Sequence, residues 1–194
     1  MKYFLLLSLL VFTACTTYEI APSGRAIKTE SEYFNTIERY SDATEKYSGL
    51  YNLLNIEATL LNTKVLDAQT DQLTRLYLWD DKKALEERTK VSERTNKETE
   101  VFMAFFTPDR KNDDAAKPKT VWRVFLDVDG RRIEGKVTKI KLQLSQLIAL
   151  YPYHNRFYSP YQIIFPVPVK AIENHEIQMT VTGAVGSATL KFKP

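Results

Sequence analysis

The chain has a single cysteine, so no intramolecular disulfide forms in any compartment. It has only six glycines in 194 residues and no visible repeat or low-complexity segment, which excludes fibrous and disordered classes. No run of five like charges occurs, and the net charge is +3. Removing Lys2 with a leader would leave the body nearly balanced, too little charge for the basic face expected of a nucleic-acid binder. No apolar run reaches the roughly 20 residues that span a bilayer. There is no phosphate-cradling glycine loop and no nucleophile elbow around Ser145, Ser159 or Ser187. What is present is 44% hydrophobic and 26% charged residues with eleven tyrosines, enough for one packed domain rich in rings.

Residues 1 to 14 run from Met1-Lys2 through the apolar stretch Tyr3 to Val11, broken only by Ser8, to Phe12-Thr13-Ala14, with Cys15 next. A short positive start, about ten apolar residues and a small residue before the break form a secretory signal. With Cys15 directly after Ala14, this start resembles the lipobox of bacterial lipoproteins, although Phe12 stands where leucine is usual. The resemblance covers residues 1–15. It implies cleavage before Cys15 and acylation of that cysteine, with palmitate among the chains it can carry. Several acyl chains hold a protein on a membrane where one does so only marginally. Thr16, rather than aspartate, after the cysteine implies the outer membrane, facing the periplasm. The expected organisation is a signal peptide over 1–14, a lipid-anchored tether over 15–28 containing Pro22, Ser23 and Gly24, and one domain over 29–194. The thirteen residues from Thr16 to Lys28 reach at most about 45 Å extended.

Within the body, Tyr33, Phe34, Ile37, Tyr40 and Thr44 recur at helical spacing and predict a short helix over 29–46, capped by Thr29. Residues 49–61 satisfy two periods. Alternation of Leu54, Ile56, Ala58 and Leu60 favours a strand, while Leu50, Leu53, Leu54 and Leu61 could line a helix. Residues 63–98 predict a helical pair, the first with Val65, Leu66, Leu73, Leu76 and Tyr77 on one face. The second, capped by an aspartate at Asp80-Asp81, carries Leu85, Val91 and charge pairs four apart such as Lys83/Glu87 and Glu86/Lys90. Val101 to Phe106 is apolar on both faces and predicts a strand covered twice. Residues 108–119 read as an exposed loop. Asp129-Gly130 predicts a hairpin between a strand around Trp122 to Val128 and a return through Ile133 and Val137 to Ile140. A short helix is expected over 143–150, an edge strand over 161–167 because of Pro160, Pro166 and Pro168, and a terminal hairpin around Gly183 to Gly186. The fold class that follows is mainly β with a helical insertion (α+β), as an immunoglobulin-like β-sandwich of about seven strands with a short N-terminal helix. No Cys-Trp-Cys spacing supports membership of that family.

Chemistry-bearing clusters are sparse. Asp127-Val128-Asp129-Gly130 resembles a fragment of a calcium loop, but Thr138 stands where the closing glutamate belongs, and a hairpin turn accounts for the residues. His154 and His175 lack partners at zinc-ligand spacing and read as exposed structural histidines. No catalytic residue, metal site or cofactor is expected. Glu173 and Glu176 could pair in space. The segment Tyr151, Tyr153, His154, Arg156, Phe157, Tyr158 and Tyr161 concentrates the residue types of binding hot spots and is the candidate partner-binding surface, against the alternative that these rings cap the end of the sandwich. The function expected is a lipid-anchored binding or assembly module with an envelope protein or glycan as partner. The alternatives are a hydrolase with carboxylates in a helix–sheet cleft, and a structural subunit of an envelope complex using the charged helix 80–98.

Overall fold

The computed structural model describes residues 18–21 and 24–193; the leader and Cys15 lie outside the described residues. The chain is an α+β protein, mainly β, with four helices and three antiparallel sheets among the described residues. A small hairpin of β1 (Tyr18–Ile20) and β2 (Ala26–Lys28) leads into α1 (Glu30–Arg39). Then come β3 (Ser41–Ser48), β4 (Tyr51–Leu61), α2 (Thr63–Tyr77), α3 (Asp81–Thr95) and β5 (Thr99–Phe106). The second half holds β6 (Arg123–Val128), β7 (Arg131–Glu134), β8 (Lys136–Lys139), α4 (Leu144–Leu150), β9 (Ser159–Phe165), β10 (Ile177–Gly183) and β11 (Gly186–Phe192).

Alternation decides the main core. Val124, Leu126 and Val128 of β6, Ile177, Met179 and Val181 of β10, and Ala188, Leu190 and Phe192 of β11 all point to one side of the sheet β11-β10-β6-β7. They meet Leu54, Ile56, Ala58 and Leu60 of β4, Val101, Met103 and Phe105 of β5, and Ile163 and Phe165 of β9, from the sheet β3-β4-β5-β9-β8. The two sheets share one strand-like segment that turns a corner at Gly135. Its amide donates to the Val124 carbonyl at 2.8 Å, and a Cβ there would lie 2.6 Å from both Ile163 and Phe165 side chains. At the other seam the Lys191 amide donates to Asp42 Oδ2 at 2.7 Å.

The opposite face of the five-stranded sheet carries a second core. Phe102 and Ala104 of β5 pack there against Tyr33 and Ile37 of α1, Val65, Leu66 and Ala68 of α2, and Leu147 of α4. Strand β5 is therefore buried on both faces, as its unbroken apolar run predicts. The helices start on side-chain caps: Thr29 and Glu32 form a reciprocal box at α1, Asn62 Oδ1 accepts from Val65 at 2.9 Å, and Asp80 Oδ1 accepts from Lys83 at 2.7 Å. Helix α3 is fastened to α2 by Arg88, which reaches Asp67 and, at 2.6 Å, Asp71.

Five expectations are corrected. The helix expected over 29–46 stops at Arg39, and 41–48 is a strand instead; the Tyr40 carbonyl accepts from Leu60 at 3.0 Å, and β3 pairs with β4 along its length. Because β3 is a largely exposed edge, it carries no apolar alternation that would mark it. With β3 added and the expected return strand split at Gly135, the two large sheets hold nine strands rather than seven. Strand β9 is interior, between β5 and β8, and not an edge: Pro160 sits at its start, where its carbonyl accepts from Ile140 at 3.0 Å, and Pro166 and Pro168 follow its end. On α2 the inward face continues through Thr70, Asp71, Gln72 and Thr74, while Leu76 and Tyr77 face outward; on α3 Ala84 is buried and Leu85 is exposed. Part of the stretch expected as a tether is folded: Ile27 is buried, and the Lys28 amide donates to Asp71 Oδ2 at 3.2 Å.

Candidate functional site

The ring-rich segment begins where α4 ends, and most of it turns inward. Tyr151 caps α4 and stacks face to face on Phe102, with centroids 3.5 Å apart and planes within 3°. Its hydroxyl accepts from Gln69 Nε2 at 3.1 Å, and burial holds its pKa well above the usual phenol range. Tyr153 is half-buried, its hydroxyl 2.6 Å from Thr59 Oγ1, which is itself 2.6 Å from Ser41 Oγ. Burial raises its pKa as well. His154 is buried edge-on against Phe102, centroid to centroid 5.9 Å, and burial lowers its pKa. The expectation of an exposed histidine is corrected there: a neutral imidazole packs among rings as an aromatic does. Tyr158 is half-buried.

Tyr161 belongs to the core between the sheets. Its hydroxyl accepts from the Ala115 amide at 3.0 Å and donates to Asp114 Oδ1 at 3.1 Å, and burial pushes its pKa up to about 12. Of the seven residues singled out as a binding surface, only Arg156 and Phe157 are exposed. Tyr151, His154 and Tyr161 are structural, because rings of this size lose more by staying wet than their single hydroxyl or imidazole loses by going in.

Beside Phe157 lies a groove of about 380 Å³ lined by Phe106, Pro108, Arg110, Asp113 and Phe157. One wall is the long loop after β5. Two core rings pin that loop: Tyr161 through Ala115 and Asp114, and Trp122, whose Nε1 donates to the Asn112 carbonyl at 2.6 Å. Asp109 stays below the ordinary carboxylate range because Asn112 and the Lys111 amide donate to it. The Arg156 guanidinium sits 5.1 Å over the Phe157 ring. The groove therefore mixes the rings of Phe106 and Phe157 and Pro108 with the guanidinium of Arg110 and the carboxylate of Asp113, with Arg156 over the Phe157 ring outside its lining, and suits a chain with an aromatic or aliphatic anchor and an acidic group. Arg110 is the member that sequence reasoning missed; a lone arginine in a polar loop carries no signal until the loop is pinned.

A second concavity of about 410 Å³ lies between α1, β3 and the Pro152-Tyr153 turn, lined by Phe34, Glu38, Asp42, Glu57 and Tyr153. Burial raises the Glu57 pKa above the ordinary carboxylate value. Glu173 is used elsewhere, its Oε1 accepting from the Thr63 amide at 2.9 Å at the start of α2, and Glu176 is exposed. The aspartates of the β6–β7 turn are also engaged: Arg132 donates twice to Asp127 at 2.8 and 3.0 Å, and His175 Nδ1 lies 3.0 Å from Asp129. Among the described residues no group of three or more potential ligands is placed to hold a metal ion. None of the described helices is long and apolar enough to cross a membrane. No protein-family model, curated protein or solved structure matches the chain.

Proposed function

We propose that the protein is a lipid-anchored component of a bacterial cell envelope, on the outer membrane facing the periplasm, whose immunoglobulin-like body binds an envelope protein or glycan. The observation that carries the address is the apolar leader ending in Ala14-Cys15. The binding role is supported by the groove beside Phe157, where Arg110 and Asp113 stand by Phe106, Pro108 and Phe157, one wall being a loop fixed from beneath by Tyr161 and Trp122, and exposed Arg156 lies over the Phe157 ring. A pre-shaped loop loses little freedom on binding, which favours recognition over mere surface exposure.

Two measurements test this reading. Labelled palmitate enters the full-length product and fails to enter Cys15→Ser; equal labelling of the two removes the anchor. Arg156→Ala combined with Phe157→Ala abolishes capture of crosslinked envelope partners in intact cells at an unchanged melting temperature; undiminished capture removes the groove. A hydrolase is the second reading, favoured by the raised carboxyl of Glu57 beside Glu38 and Asp42 in the α1–β3 cleft. A Glu57→Gln protein that loses a measured hydrolytic activity supports that reading.

A further inference from the structure

We infer that the α2–α3 corner is a membrane-docking face that rests in the headgroup layer of the bilayer holding the anchor. This rests on the lipid-anchor reading above and adds which side of the body meets the lipid. The last turn of α2 and its cap expose Leu76, Tyr77 and Leu78, with Leu78 70% exposed. The corner is held rather than frayed: Leu78 is in the left-handed region at φ 51°, and the Trp79 amide donates to the Thr74 carbonyl at 3.1 Å.

Hydrogen bonds hold helix α4 beside this corner. Gln146 Nε2 donates to the Tyr77 hydroxyl at 3.0 Å, and Gln72 Nε2 donates to the Ala149 carbonyl at 2.9 Å. Tyr77 and Trp79 stack with centroids 6.0 Å apart, and Lys83 Nζ lies 6.0 Å over the Trp79 ring. A cluster of exposed apolar side chains at one corner of a folded body marks an interaction site.

Two observations name lipid as what covers it. The first is where the anchor enters. Only Thr16 and Thr17 separate Cys15 from β1, a reach of about 10 Å, and β1 is tied to the same end of α2: Glu19 pairs at 3.4 Å with Arg75, the residue before Leu76. Ile20, beside Glu19, is 75% exposed. A leash this short holds the α2 corner against the headgroups. The second is composition. Leucines with a Tyr–Trp pair and exposed Lys82 beside them match the chemistry of an interfacial surface, where rings sit at headgroup level, while Lys83 is held on α3 by Glu87 at 2.7 Å.

The test uses the chain's two tryptophans. Trp122 is buried in the core, so Trp79 alone can report lipid contact. The full-length, lipid-modified protein is reconstituted in phosphatidylethanolamine/phosphatidylglycerol vesicles with brominated acyl chains. Trp79 emission is expected to be quenched, and Trp79→Phe to lose the quenched component. Leu76→Asp with Leu78→Asp should lose the quenching yet still sediment with the vesicles; both side chains are exposed, and unchanged Trp122 emission reports that the variant is folded. Wild-type protein that sediments with the vesicles but is not quenched overturns the docking face and leaves the anchor standing, with the patch assigned to a protein or to a second copy. Quenching that survives the double substitution overturns it too. Wild type that sediments no better than Cys15→Ser removes the anchor and the docking face together.

Discussion

Strand β5 separates two cores built on different principles. On the side facing the other sheet, Val101, Met103 and Phe105 meet aliphatic and aromatic side chains with little polar content. On the helix side, Phe102 and Ala104 share their space with Tyr33 and Tyr151, and buried Thr70, Gln72, Thr74, Glu100 and His154 belong to that half of the body. The first core is held by area removed from water, which is non-directional. The second depends on hydrogen bonds that fix which side chain sits where, such as Tyr33 to the Leu150 carbonyl at 2.8 Å and Gln162 Nε2 to Glu100 Oε2 at 2.7 Å. The lesson is that the sheet-to-sheet core supplies bulk stability, while the helix-side core orients α1, α2 and α4, and with them the cleft and the corner that face outward.

Breaking the first core should cost most. Phe105→Ala removes a fully buried ring that stands edge-on to Trp122 at 5.1 Å, and a loss of about 3–5 kcal/mol in denaturant unfolding is expected. Trp122 emission should shift to the red in the same variant. On the helix side, Tyr33→Phe keeps the ring and deletes one hydroxyl, so the expected loss is about 1 kcal/mol. A loss as large as that of Phe105→Ala would erase the distinction between the two cores.

The smallest effect sharpens the comparison through pH. Burial lowers the His154 pKa below its ordinary 6.5, so the unfolded chain binds this proton more readily than the folded one. The contribution of neutral His154 is fully present above 6.5 and is lost as pH falls through its folded value. His154→Phe should flatten that part of the stability profile; an unchanged slope would mean that other groups carry it. Glu57 has the opposite sign. Its raised pKa gives a contribution present below 4.5 that disappears as pH rises through the folded value.

Much of the architecture was readable from local pattern. Strands β6, β10 and β11 alternate cleanly, Asp129 and Gly130 both adopt positive φ as a tight hairpin turn requires, and Asp80 caps α3. The choice of strand for 49–61 also holds, because β4 pairs on both edges. Strand β3 was hidden because an exposed edge has no buried period to display. The candidate site was less legible. Rings at 151–161 fit both a binding surface and a cap on the end of the sandwich, and only the position of Phe102 beneath Tyr151 and of Asp114 beside Tyr161 sends those two tyrosines inward.

Composition, turn residues and strand alternation by themselves determined a mainly β body with helices between its strands, since these signals act over a few residues and need no distant partner. The interior place of β9, the corner at Gly135, the inward turn of the tyrosines and the outward turn of Leu76 and Tyr77 were decided only by the tertiary structure. Each depends on which surface lies opposite, and that surface is supplied by residues tens of positions away in the chain.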